Sequence, residues 1–101
     1  MIVAFSVAPA VVDTPDAEIA DAVTEAVRVV RESGLPNETN AMFTLIEGEW
    51  DEVFDVIKRA TDAVRAVSPR TSLVIKADIR EGHTGQLTQK VESVNRRLNQ
   101  N

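Results

Sequence analysis

Residues 35–48 read LPNETNAMFTLIEG, an extended stretch between two segments of helical periodicity. As one strand this stretch spans about 46 Å, well beyond the usual five or six residues. We therefore expect two short strands, with a hairpin, bulge or kink near Ala41 and Met42. Pro36 opens the stretch and Gly48 closes it.

An amphipathic helix is predicted on each side of these two strands. The first helix begins at an N-cap, Thr14, followed by Pro15, and ends before Gly34. Its apolar positions are Ile19, Val23, Ala26, Val27 and Val30. The second helix ends before Pro69, and its apolar positions are Trp50, Val53, Phe54, Ile57, Ala60, Val64 and Val67.

A strand at each end of this central pattern and a last helix complete the predicted elements. Strands are predicted at 2–7 and 71–80, a loop at 81–85, and a short helix on Leu87, Val91, Val94 and Leu98. The order strand, helix, strand, strand, helix, strand is typical of the ferredoxin-like βαββαβ sandwich, with both helices on one face of an antiparallel sheet. We predict an α+β fold of this kind with an added C-terminal helix, as a single domain of residues 1–101.

Composition excludes several classes of function. Sixteen acidic and eleven basic residues give a net charge of -5, which disfavours nucleic acid as a partner. No apolar run approaches the roughly 20 residues of a membrane span, and the start has no basic signal-peptide region, so we expect a cytoplasmic protein. The chain has no cysteine, which excludes disulfides and thiolate chemistry. With 4% aromatic residues the core is light, and we expect homo-oligomerisation to stabilise it.

The sheet face that carries no helices is the surface available to a ligand or a second subunit. In the first strand Val3, Phe5 and Val7 are expected to face the helices, which leaves Ala4, Ser6 and Ala8 on the open face. In the last strand Leu73, Ile75, Ala77 and Ile79 are expected inward, and Val74, Lys76, Asp78 and Arg80 outward. Asn40, Met42, Thr44 and Ile46 form an alternating set in the middle segment, unless a hairpin at Met42 breaks its phase. This mixed face is compatible with a bound small ligand or a second subunit. It is equally compatible with a solvated surface on which Lys76, Asp78 and Arg80 form salt bridges.

Five blocks of sequence resemble a known family in its own order: IVAFSVAP, VVRESGLP, NETNAMFTLIEGEW, TLIEGEWDEVFDVIKRATDAV and QKVESVNRRL. Together they are similar to the small thiamine-binding, YkoF-like proteins. The resemblance implies the same fold, dimers and tetramers assembled through the sheets, and binding of thiamine or its hydroxymethylpyrimidine half, with no reaction. Where that family commonly carries Thr-Pro-Met-Gly, this chain has residues 40–43, Asn-Ala-Met-Phe. Proline and glycine set the conformation of a turn, so we expect this departure to affect the geometry of the hairpin and, with it, of the pocket.

Three polar residues are candidates for binding an aminopyrimidine ring, which presents an acceptor beside a donor. Ser6, Asn40 and Thr44 can each both donate and accept a hydrogen bond. The alternative for Ser6 is a small residue where sheets pack closely, and for Thr44 simple strand propensity. Asn40 is equally compatible with a turn in which it bonds its own backbone.

Four further residues complete the predicted ligand-binding set. Glu47 either accepts from the ring and offsets a thiazolium charge, or forms with Glu49 the acidic first turn of the following helix. Met42 offers polarizable surface to a ring, or packs in the core or against a subunit. Lys76 and Asp78 either bond a ligand hydroxyl or phosphate, or form an ion pair between subunits, the more usual role.

The sequence thus predicts a non-enzymatic protein that binds thiamine or hydroxymethylpyrimidine on the open sheet face near a subunit interface. We expect no catalytic residue, metal or cofactor. The expected partners are a thiamine-like small molecule and further copies of the chain, as a dimer or tetramer through sheet faces and edges, with no nucleic acid and no membrane. The alternatives are an oligomeric sensor or scaffold without a ligand, and a small cofactorless enzyme on the same scaffold.

Overall fold

The helices and strands follow one another in the predicted order within residues 1–10 and 16–99, which the computed structural model describes. They are β1 (Ile2–Pro9), α1 (Asp16–Arg31), β2 (Asn37–Thr39), β3 (Thr44–Glu47), α2 (Trp50–Arg65), β4 (Thr71–Asp78) and α3 (Gln86–Leu98). The two short strands expected between the helices are confirmed, since β2 and β3 pair antiparallel around residues 40–43. The predicted helix start at Thr14 and Pro15 lies outside the described residues.

The sheet has the strand order β2-β3-β1-β4, with every neighbouring pair antiparallel. This is the ferredoxin-like arrangement, in which the central β1 pairs with both β3 and β4. Val3 stands opposite Ile46 on one side and Ala77 on the other, and all three share the face that the helices cover. Their neighbours along the strands alternate onto the open face, where Glu47 and Asp78 flank Ile2.

The core lies between the helices and one sheet face and is almost entirely aliphatic, in keeping with the 4% aromatic content of the chain. Val3 and Phe5 of β1 are 0% and 3% exposed. The other core residues are Ala26, Val30, Ile46, Val53, Val56, Ile57, Ala60 and Val64.

Two positions in the predicted apolar stripes of α1 and α2 are exposed. Val23 is 41% exposed, and α1 buries Ala22, Ala26 and Val30 instead. The buried row therefore follows one edge of the predicted stripe. Trp50 is 55% exposed because it occupies the first position of α2, where its ring stacks at a centroid distance of 4.5 Å on Phe54.

The last strand is shorter and less covered than predicted. It ends at Asp78, opposite Ile2 at the start of β1, so Ile79 and Arg80 have no partner residue across the sheet. Ile79, expected to pack inward, is 60% exposed. Leu73 and Ile75 do belong to the helix-covered face by register, but the helices cover this sheet edge incompletely. A groove between α2 and β4 remains open there.

The added helix α3 contacts the domain near its first turn, where it meets β3. Beyond that turn its apolar residues are largely exposed, Val91 by 60%, Val94 by 55% and Leu98 by 66%. The described helices include none with the length and apolar character needed to cross a membrane.

Candidate functional site

A cavity of about 160 Å³ lies between α1, the second half of β1 and the turn that joins β2 to β3. Helix α1 contributes Val23, Ala26 and Val27 to its wall, and β1 contributes residues 5–7. The remaining wall is residues 39–44. The cavity therefore collects four of the seven predicted ligand-binding residues, namely Ser6, Asn40, Met42 and Thr44.

The turn beside the cavity is held by the side chain of Asn40. Its Oδ1 accepts hydrogen bonds from the backbone N–H groups of Met42 at 2.8 Å and Phe43 at 2.9 Å. The backbone N–H of Asn40 also donates to the carbonyl of Phe43, at 3.0 Å. The chain thus closes this turn without the proline and glycine of the resembled family, because an asparagine oxygen satisfies the turn's N–H groups. This is the backbone-bonding role considered for Asn40, and it leaves the Nδ2 amide without a partner among the described residues.

The other three candidates sit differently around the cavity. Thr44 stands opposite Phe5 in β1 and Thr39 in β2, on the helix-covered side, and is partly buried. Ser6, the neighbour of Phe5, alternates onto the open face opposite Val74. Met42 is 74% exposed at the tip of the turn. The phase of the predicted alternating set is broken at this turn, and only Thr44 and Ile46 share a strand face.

Glu47 lies away from the cavity and caps a helix. Its side chain is on the open face, and the residue is only 5% exposed. The carboxylate accepts hydrogen bonds from two backbone N–H groups in the first turn of α3, those of Gln86 at 2.9 Å and Leu87 at 3.4 Å. Gly85, which precedes this turn, has no side chain to cap it. A carboxylate at a helix N-terminus satisfies bare donors and the helix dipole together.

The alternative that Glu47 and Glu49 form the acidic first turn of the following helix does not hold for Glu47, which lies at the end of β3. Glu49 is the N-cap of α2, and its backbone N–H donates to Oε1 of Glu52 at 3.3 Å. Glu47 instead reaches a helix that lies far along the sequence. Glu47 reaches α3 because the strand register places its side chain on the open face.

Asp78 and Lys76 are likewise outside the cavity, on the open face of β4. Asp78 forms an ion pair and hydrogen bond with Lys90 of α3. The hydrogen bond from Lys90 and the Lys90 charge hold the pKa of Asp78 below its ordinary value, with smaller effects from Arg80 and Lys76. The alternative that Lys76, Asp78 and Arg80 form salt bridges with one another is thus wrong for Asp78, because its partner is Lys90. This ion pair connects β4 to α3.

The residues that sequence reasoning missed are the cavity walls on α1. Val23 and Val27 line the cavity, although helical periodicity placed both in the core. The usable signal was the width of the apolar stripe, because α1 carries more valines than the buried row of Ala22, Ala26 and Val30 requires. Among the described residues no group of three or more His, Asp or Glu side chains is placed to hold a metal ion.

The antiparallel four-stranded sheet, its two covering helices and the added C-terminal helix place the chain in the ferredoxin-like class of α+β proteins. The profile of the family described as thiamine-binding protein matches residues 3–95, and the chain belongs to that family.

Relatives and solved structures agree with this assignment. The UPF0045 protein Mb1933 of Mycobacterium bovis is 57% identical over 99 residues, which cover 97% of this chain and 94% of that protein. A domain of unknown function, DUF77, from Bacillus cereus superposes with a TM-score of 0.78 at 34% identity, covering 89% of this chain and 85% of that one. A candidate thiamine biosynthesis/salvage protein from Thermotoga maritima shares the fold, with a TM-score of 0.74 at 24% identity and coverage of 92% and 96%.

Proposed function

We propose that the protein binds thiamine, or its hydroxymethylpyrimidine moiety, without catalysing a reaction, in the cavity between α1, β1 and the β2–β3 turn. The observation that carries the proposal is this cavity, which gathers Thr44 and Asn40 beside apolar walls in a chain of the thiamine-binding protein family. The predicted location on the open sheet face near a subunit interface is replaced in this proposal by the edge of the sandwich, where the cavity lies.

The lining suits a flat heterocycle with polar edges. Phe5 and Val27 offer apolar surface on two sides, and the Thr44 hydroxyl and Asn40 amide offer hydrogen bonds. A cavity of about 160 Å³ is smaller than the roughly 300 Å³ at which drug-sized pockets begin. It therefore suits one ring, with the pyrimidine inside and the thiazolium toward solvent near Met42. Ser6 borders the same cavity from β1, so we retain it in the proposed site.

The other three candidates have a different role in this proposal. Glu47 and Asp78 hold α3, and their oxygens already accept hydrogen bonds from it. Lys76 has no ion-pair partner among the described residues and lies on the open face, where we propose that it contacts a second subunit.

We also propose that the protein is a cytoplasmic homo-oligomer, a dimer or tetramer assembled through sheet faces and edges. The support is exposed apolar surface, which includes Val74 on the open face at 52% exposed. Such surface is usually covered by a partner. Sedimentation of the purified protein at several concentrations tests this, and a monomer at every concentration overturns it.

Calorimetric titration of thiamine and of hydroxymethylpyrimidine tests the binding proposal. The variant Thr44→Val keeps the side-chain shape and removes the hydroxyl, so we expect binding weaker by about 1 to 3 kcal/mol. The control is Thr88→Val on α3, away from the cavity, which should bind as the wild type does. Absence of heat at millimolar concentrations of either compound overturns the function. Equal affinities for Thr44→Val and wild type overturn the site alone.

A further inference from the structure

A second concave site lies on the opposite part of the molecule, where Arg80, just beyond β4, meets the polar face of α3. It is a cleft of about 450 Å³. Its lining residues are Arg80, Gln86, Gln89, Lys90, Ser93 and Arg96. None of them lines the cavity proposed for thiamine. The cleft is therefore a separate site, with its own chemistry.

The cleft is cationic on an acidic protein. It carries three cations and no carboxylate among its lining residues, although the whole chain has a net charge of -5. The helical repeat explains the concentration of charge, because positions 86, 89, 90, 93 and 96 follow one face of α3. The apolar residues of α3 lie on a different face, so the cleft is built from polar side chains alone.

The carboxylate of Asp78 engages one of these three cations. Asp78 forms its ion pair with Lys90, and the charges of Arg80 and Lys76 also act on it to lower its pKa. Neither Arg80 nor Arg96 forms an ion pair within the described part of the chain. The two guanidinium groups remain available to an anion.

Neutral donors complete the lining. The Nε2 group of Gln86 donates to Oε1 of Gln89 at 2.9 Å and to the carbonyl of Thr84 at 3.3 Å. This contact engages the acceptor of the Gln89 side chain, and the Gln89 amide nitrogen is left as a donor toward the cleft. The hydroxyl of Ser93 adds another donor, one turn further along α3.

We propose that this cleft binds the phosphate or pyrophosphate group of a small molecule. Guanidinium groups bind phosphate oxygens through paired, charge-assisted hydrogen bonds, and amide and hydroxyl donors fill the remaining oxygen positions. The cleft belongs to a molecule with a net charge of -5, which favours a compact anion over a long polymer.

The experiment is calorimetric titration of the purified protein with inorganic phosphate, with pyrophosphate and with a nucleoside diphosphate, at one fixed ionic strength. We expect pyrophosphate to bind. Binding of the nucleotide more tightly than pyrophosphate identifies an organic phosphate as the ligand, and equal affinities identify the free anion. Loss of one guanidinium, in Arg80→Gln or Arg96→Gln, is expected to weaken binding about five- to tenfold.

The matched control is Arg31→Gln, an exposed arginine in the last turn of α1 that has no ion pair among the described residues and lies outside the lining. It removes the same charge and should change the affinity less than about twofold, as expected for a screened surface charge. Equal weakening by the Arg96 and Arg31 variants overturns the proposal, because it indicates only a general surface field. Absence of binding by all three anions overturns it as well. Circular dichroism verifies that each variant keeps its helices.

Discussion

Replacing Glu47 by glutamine is expected to loosen the attachment of α3. The carboxylate is the buried contact between β3 and the first turn of this helix, and Gly85 supplies no side-chain cap of its own. Glutamine keeps the length and shape of the side chain. It removes the charge and leaves one amide oxygen to accept a hydrogen bond.

The magnitude follows from the two distances. The 2.9 Å bond from Gln86 is a charge-assisted hydrogen bond, worth about 1.5 to 3 kcal/mol, and the 3.4 Å contact from Leu87 adds little. The interaction of the charge with the helix N-terminus contributes a further 0.3 to 1 kcal/mol or so. Because glutamine retains part of the first term, we expect Glu47→Gln to lose about 1 to 2 kcal/mol. This raises the population of detached α3 by about five- to thirtyfold.

Amide hydrogen exchange measures this change helix by helix. In Glu47→Gln the α3 amides should lose protection, while those of β1 and α2 keep theirs, since detachment is a local opening. The control is Glu38→Gln, an exposed glutamate on β2 whose side chain makes no hydrogen bond in the described residues. Equal protection of α3 in both variants would refute the capping role of Glu47.

Three further predictions concern stability. Asp78→Asn should destabilise the protein at neutral pH; because folding lowers the Asp78 pKa, the wild-type advantage in urea unfolding is present above the ordinary pKa and disappears as pH falls through the lowered one. Gly85→Ser introduces a favoured N-cap residue, yet it should cost about 1 kcal/mol because the φ of +67° disfavours any side chain, and an unchanged melting temperature would contradict this. Ile57→Ala should lower the free energy of unfolding in urea by about 3 kcal/mol, while Ile79→Ala, at a position 60% exposed, should lower it by less than about 0.5 kcal/mol. Similar losses in the two variants would contradict the assignment of Ile57 to the core.

The fold was accessible from sequence because its determinants are local. The break near Ala41 follows from strand length, and the amphipathic pattern of α2 marks a buried face that the structure confirms from Val53 to Val64. The inward set of β1 was equally readable, since alternation of bulky and small residues assigns its two faces.

The site was accessible only in part because its remaining determinants are distant in sequence. Asn40 and Thr44 flank one turn, so a local pattern brings them together. The attachment of Glu47 to α3 depends on strand register and on the path of residues 79–85, neither of which leaves a periodic signal. The same holds for Asp78. It pairs with Lys90 of α3 because tertiary packing brings the two side chains together, and not with the lysine or arginine that lie near it in sequence.

The central position of β1 also bears on how the chain folds. This strand is the earliest element along the chain, yet its partners in β4 lie more than 60 residues later. Its ladder with β4 therefore cannot form during synthesis until most of the domain has left the ribosome. Closing so long a loop costs entropy before any contact compensates it, so β1 should pair with β4 late, after its shorter-range ladder with β3. Until then the edge of β1 that β4 covers is unpaired, and this interval is when aggregation competes most strongly with folding.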